Sequence, residues 1–439
     1  MPPMSGDQHM GAISVAAAAD VDDRYFCGTA LRRGVKVSDQ SWQKIVDSEK
    51  KYDKDINANW VPNGKGEKRW LINWFTPIYV VGFIFGLLVL RKTNTAISAV
   101  QYVRSCQCQV SQEALENSGD FHHLLTMLDS IDKPPAIMML NQYALKMTNN
   151  FLCNTAQMPG VHERLVFVTL DKVASDVMKK EWPHVKQFYW PTPCLYKRFS
   201  FAEGAYQVIY LLRANLAASL VRYGRSFWMM QQDTFWRENL FELNLESGGN
   251  FDLLFDQIGD STDSQRAEWV NGANFYVRAN NRTLEFFQSM ASKLAHWYTP
   301  DMAIMIHQCH TWGNQSNCNF MPHRIAHSWE WMYTAQKNPP YIMQLDCETD
   351  AGSKLDQLAK FGFRFTQDDG RTCNQAAVEQ ARQRMNMGTV DVRRAMLSWG
   401  RFQFIVYWYI TDFLLWLPIV GQLIKPYLPL VGFCIMITF

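Results

Sequence analysis

Residues 203–233, EGAYQVIYLLRANLAASLVRYGRSFWMMQQD, decide the reading of this chain. Residues 203–224 read as a long helix closed by Gly224, since glycine most readily takes the left-handed backbone found just past a helix end. Residues 226–233, SFWMMQQD, read as a strand that ends in three polar residues, Gln231, Gln232 and Asp233. The same alternation extends outward. AIMMLN (136–141), LVFVTLD (165–171), FDLLFDQI (251–258) and NGANFYVRA (271–279) read as strands. QYALKMTNNFLCN (142–154), ASDVMKKEW (174–182) and RTLEFFQSMASKLAHW (282–297) read as helices. Such alternation predicts an α/β domain with a mostly parallel sheet. Ligands in such sheets bind beyond the carboxyl ends of the strands, where Asn141, Asp171 and Asp233 fall.

Around this domain, over 121–370, the 439 residues divide by composition. Residues 1–69 have mixed charge and few aliphatic clusters, and read as a poorly ordered tail. Trp70–Leu90, WLINWFTPIYVVGFIFGLLVL, holds no charge and is long enough at ~1.5 Å per residue to cross ~30 Å of hydrocarbon. Lys65, Lys68 and Arg69 precede it and Arg91 and Lys92 follow, a bias that favours a cytosolic N-terminus. Residues 91–120 are polar and read as a stem, and 371–401 as a polar helical linker. Residues 402–439 are apolar again; a second membrane contact, an interfacial hairpin and an aberrant tail are all open for them.

The net charge of +2 offers no argument for nucleic acid as a partner. No zinc-finger spacing, GxxxxGK[ST], GxSxG or HExxH motif occurs. Of ten cysteines, eight lie between Cys106 and Cys373. Cys309/Cys318 and Cys347/Cys373 close short loops and are the pairings expected if this region is luminal. Sequons at Asn281 and Asn314 would be usable in the same topology. His307, His310, His323 and His327 near Cys309 and Cys318 fit no standard zinc spacing. Trp329, Trp331 and Tyr333 read as core packing rather than a sugar platform.

An enzyme that takes a sugar from a nucleotide diphosphate must neutralise the departing diphosphate, and a carboxylate at a strand end does so by holding a divalent cation. Over 120–370 the chain resembles the nucleotide-diphospho-sugar transferases with a GT-A-like fold and an Asp-x-Asp motif. The resemblance rests on segments in order: AIMMLNQYALKMTNN, GVHERLVFVTLDKVASDVMKKEWPHVK, VRYGRSFWMMQQDTFWRENLFEL, VNGANFYVRANNRTLEFFQSM, YTPDMA and PPYIMQLDCETDAGSKLDQLAKFGF. It implies a Rossmann-type α/β/α sandwich, a nucleotide-diphospho-sugar donor, a glycan or glycoprotein acceptor and Mn or Mg on the diphosphate. It also implies a Golgi or ER membrane protein, single-pass, with its catalytic domain luminal.

Carried over by position, the first Asp of the motif falls on Gln231 and the second on Asp233, so metal ligation passes to Asp233 with Gln344 in the place of a late histidine. Asn141, Asp171, Gln231 and Lys354 fall near the nucleotide. Asp301 and Asp346 take the catalytic carboxylate positions, and Trp236, Asn271 and Gly272 lie on the acceptor side. With Gln at 231 and 344, a glycan-binding protein of weak or no activity stands as the alternative.

Overall fold

The computed structural model describes residues 76–199, 203–259, 261–311, 317–345, 354–392 and 399–430. Ten strands occur among them, many separated by helices. In chain order they are β1 (Ala136–Leu140), β2 (Leu165–Thr169), β3 (Lys186–Tyr189), β4 (Phe227–Met229) and β5 (Thr234–Trp236), then β6 (Leu253–Gln257), β7 (Val270–Val277), β8 (Cys318–Phe320), β9 (Ala326–Ser328) and β10 (Ile342–Gln344). Seven form one sheet in the order β3-β2-β1-β4-β7-β6-β8; the other three form a small sheet in the order β5-β10-β9. In the large sheet β7 alone runs against its neighbours β4 and β6, and the remaining pairings are parallel. The mostly parallel α/β sheet expected from the sequence is therefore present.

Strands buried on both faces need apolar residues at every position, which is why LVFVT and AIMML read as continuous runs. Their alternate residues feed two cores. Ile137, Val166, Val168, Phe227 and Phe255 pack under the Gly204–Arg222 and Asn281–Leu294 helices. Met138, Phe167, Trp228, Leu254 and Tyr276 face the opposite layer with Phe151 and Met178. The Gly204–Arg222 helix is buried along most of its length between the Thr76–Val110 and Asn281–Leu294 helices. Its chain reverses at Gly224, with φ +72°, as the sequence predicts.

The N-terminal helix runs unbroken from Thr76 to Val110. Its first half exposes Ile78, Tyr79, Val81, Phe83, Phe85 and Leu90. Among the described residues it is the one helix long and apolar enough to cross a membrane. The second half, expected as a stem, is part of the domain instead. Val103, Cys106 and Val110 are buried, and the Val110 carbonyl accepts from Asn215 at 2.7 Å. The Gln375–Met387 helix, expected within a linker, likewise buries Val378, Ala381 and Met385 against a third core around Phe235 and Phe363.

Among the described residues three disulfides form, two of them between distant segments: Cys106–Cys194, Cys153–Cys373 and Cys309–Cys318. The last agrees with the expected pair. The Cys347/Cys373 expectation is corrected, because Cys373 bonds Cys153 on the Leu145–Thr155 helix; Cys347 lies outside the described residues. The apolar C-terminal stretch forms helices Trp399–Trp416 and Pro418–Ile424. Trp408 stacks on Trp329 with ring centroids 5.4 Å apart, and Asp412 accepts from Arg266 at 3.0 Å, so the first of these helices docks on the domain.

Candidate functional site

The tip after β4 sits at the carboxyl edge of the parallel strands. β4 pairs with β1, the Met230 N–H donates to the Ile137 carbonyl at 3.0 Å, and the Gln232 amide donates to the Met139 carbonyl at 2.6 Å. The next residues leave the large sheet. Thr234–Trp236 pairs antiparallel with Ile342–Gln344, so Gln344 lies directly across from Thr234. That pairing, between segments about a hundred residues apart in sequence, assembles the site.

Four of the sequence-predicted residues meet here. The Gln344 amide nitrogen donates to Asp233 Oδ1 at 2.8 Å and to Gln231 Oε1 at 3.4 Å. Lys354, at the start of the Lys354–Phe361 helix, forms an ion pair with Asp233 Oδ2. Asp233 is buried, whereas the Lys354 side chain is 38% exposed.

Three residues that the sequence reading missed set the orientation of Gln344. Asp256, buried in β6, accepts the backbone N–H groups of Gly272 at 2.9 Å and Asn274 at 2.8 Å, and the Asn274 side-chain amide at 3.2 Å. A carboxylate has no hydrogen to give, so the Asn274 amide nitrogen must face it. That nitrogen also donates to Gln344 Oε1 at 3.2 Å, and the Thr234 hydroxyl donates to the same oxygen. The Gln344 oxygen is thereby held away from Asp233, and its N–H groups point at the carboxylate. An acid inside the apolar run LLFDQ was the available signal for Asp256, since a buried carboxylate must be matched by donors.

The expected cation site therefore does not form among the described residues. Gln344 presents hydrogens rather than a lone pair, Gln231 brings no charge, and each Asp233 oxygen already accepts from a nitrogen donor. No group of three or more His, Cys, Asp or Glu residues suited to a metal occurs among the described residues. Gln344, expected as a metal ligand, here presents its amide N–H groups to Asp233.

The other predicted residues make contacts of their own. Asn141 donates to the Leu195 carbonyl at 2.9 Å and accepts from the Tyr143 N–H at 3.1 Å. Asp171 caps the Lys172–Glu181 helix through the Ala174 N–H at 2.8 Å and accepts the Gln142 N–H at 2.6 Å. Its carboxylate thus ties two strand-end loops together. Asp301, expected to be catalytic, is 3% exposed and paired with Arg213 at 2.9 Å. Burial pushes its carboxyl above the usual range, against the pull of Arg213. Arg213 also donates to the Gly272 carbonyl, and Gly272 has φ +77° with the Met302 Cβ against it. Through Arg213, Asp301, expected as a catalytic carboxylate, braces β7. Asn271 is buried in β7.

Trp236, expected on the acceptor side, is fully buried and packs edge-on to Phe151 and Phe241. Trp331 is buried and Trp329 packs on Trp408, in keeping with the core reading of that cluster. Asn281 is exposed at the first residue of its helix, while the Thr283 hydroxyl is engaged in the helix cap. Asp346 and Asn314 lie outside the described residues.

The family model for nucleotide-diphospho-sugar transferases matches residues 160–358, a little under half of the chain, and bears out the resemblance over that span. No curated protein matches the chain. Solved structures that resemble it include the bifunctional glycosyltransferase WbbM, at 11% identity and TM-score 0.36, covering 59% of this chain and 52% of that one. The chain thus spans about half the length of WbbM. The galactosyltransferase LgtC resembles it at 9% identity and TM-score 0.38, over 57% of this chain and 95% of that one. Mouse xyloside xylosyltransferase 1 does so at 12% identity and TM-score 0.35, over 50% and 99%.

Proposed function

We propose that this nucleotide-diphospho-sugar transferase domain moves a sugar from a nucleotide-diphosphate donor to a glycan or glycoprotein acceptor, within the secretory pathway at a Golgi or ER membrane. One observation carries the reading. Inside the family-matched residues, Gln231, Asp233, Gln344 and Lys354 converge at the carboxyl edge of the parallel strands, where open α/β sheets bind their ligands. The transfer breaks the bond between the anomeric carbon and a diphosphate oxygen, whose electron pair leaves with the diphosphate; the acceptor hydroxyl oxygen takes the carbon, and its proton passes to the departing diphosphate. A fixed positive charge beside the departing oxygen stabilises the charge that grows on it. Gln231 and Gln232 offer amide groups to the rest of the donor at the same edge.

The test is donor hydrolysis and transfer by the purified full chain with a panel of nucleotide sugars, alongside calorimetric binding of the nucleotide diphosphates. Turnover of at least one donor supports the reading. Absence of both turnover and nucleotide binding overturns it. Binding without turnover selects the second reading, a glycan-binding protein of weak or no activity, which the full engagement of the Asp233 carboxylate favours.

Membrane attachment belongs to the same proposal. The apolar first half of the Thr76–Val110 helix serves as the anchor. Tyr409, Ile410, Phe413, Trp416, Ile419 and Leu423 expose a further apolar face on the C-terminal helices, suited to the interface of the same bilayer. Three disulfides fit an oxidising lumen. Protease digestion of sealed microsomes checks the topology: protection of the domain is expected, and complete digestion in intact vesicles would refute luminal placement.

A further inference from the structure

The mismatch between the site and a divalent cation has a specific resolution. A transferase of this kind needs positive charge where the diphosphate leaves, and the position facing Asp233 is taken by an ammonium. Resting on the transferase reading, we propose that Lys354 supplies the charge that a metal ion would bring, so that this chain binds its nucleotide-diphosphate donor without a divalent cation.

Three observations support this. The locked chain Asp256–Asn274–Gln344 turns the Gln344 N–H groups toward Asp233, and a cation placed there would meet hydrogens. Gln231 stands where the motif has its other carboxylate, so a metal would have one described anionic ligand in place of two. The Lys354–Asp233 pair brings a full positive charge to the strand edge on a stem fixed at the start of a helix, with the side chain more than a third exposed. Asp233 is then a positioning residue: it holds the ammonium at the strand edge, and Gln344 holds Asp233. An ammonium carries three donors and binds phosphate as a point charge, which suits a diphosphate oxygen.

The experiment uses the full chain in detergent with uridine and guanosine diphosphate as probes, titrated calorimetrically in excess EDTA and in excess manganese. The proposal expects affinity for the preferred nucleotide to agree within about twofold between the two conditions. Lys354→Met should weaken binding in EDTA by about tenfold to a hundredfold, as loss of one charge-assisted contact does. Lys354→Arg should retain most of the affinity, and an unchanged unfolding midpoint should show that the methionine variant is folded. Asp233→Asn should weaken EDTA-resistant binding by less than Lys354→Met, because the ammonium keeps its charge. Binding that requires manganese, with Lys354→Met neutral, would overturn the proposal and leave the transferase reading standing. No nucleotide binding in either condition would overturn both.

Discussion

His162 makes the stability of this protein fall in mild acid by an amount that can be worked from its surroundings. The ring is buried, with Nε2 3.0 Å from the Thr155 hydroxyl and Nδ1 3.0 Å from His184 Nε2. The Thr155 hydroxyl directs its hydrogen to the Phe151 carbonyl at 3.1 Å, so His162 Nε2 donates to it and Nδ1 accepts from His184. The neutral ring satisfies both contacts. A charged ring would be buried beside a second imidazole stacked on it at 5.3 Å. Burial first, and the His184 charge second, lower its pKa from 6.5 to about 4. Between these two values the unfolded chain takes a proton that the folded chain refuses. Stability is therefore full above pH 6.5 and declines as pH falls toward 4, by about 3 kcal/mol in all.

His162→Gln keeps an amide donor and acceptor and removes the titration. Urea unfolding of the full chain in detergent, followed by tryptophan fluorescence between about pH 7 and about pH 4, gives the slope for each protein. The wild type should lose about 3 kcal/mol more than the variant across that window. Equal slopes for the two would refute the reasoning, because carboxylates titrating in both would then account for the whole effect.

Three further outcomes follow from the same structure. Arg213→Met leaves the Asp301 carboxylate buried without its ion-pair partner and should cost about 3–5 kcal/mol in urea unfolding. Adding Asp301→Leu should recover most of that loss, and no recovery would contradict the bracing role. Gly272→Ala should cost about 1–2 kcal/mol by the same measurement, since its φ of +77° disfavours an L side chain and the Met302 Cβ would sit 3.2 Å from the new methyl. Mass spectrometry of an unreduced digest should recover Cys153 linked to Cys373, and Cys153→Ser should lower stability by up to about 5 kcal/mol for a loop of 220 residues. A peptide linking Cys373 to Cys347 would contradict the fold around the Gln375–Met387 helix.

Much of the large sheet was legible residue by residue. AIMML and LVFVT are apolar enough to be strands buried on both faces, and Gly224 marks a helix end by its own backbone chemistry. These signals are local, because burial on both faces and capping act within one element. The short strands β5, β9 and β10 have three residues each, too few for a period to stand out. Trp236 looked like a surface aromatic beside a motif, yet its strand turns it into the core between Phe151 and Phe241.

The location of Gln231-Gln232-Asp233 at a polar strand tip in an α/β domain follows from the amino-acid sequence alone, since a strand that ends in polar side chains must end at the sheet edge. The state of Asp233 does not. Its carboxylate meets Lys354 and Gln344 only because Thr234–Trp236 leaves the large sheet to pair with Ile342–Gln344, and the Gln344 amide faces it only because Asp256 and Asn274 leave it one orientation. Those are pairings across large sequence separations, chosen by which surfaces bury each other, and they turn a strand-end acid from an open metal ligand into the anchor of an ammonium.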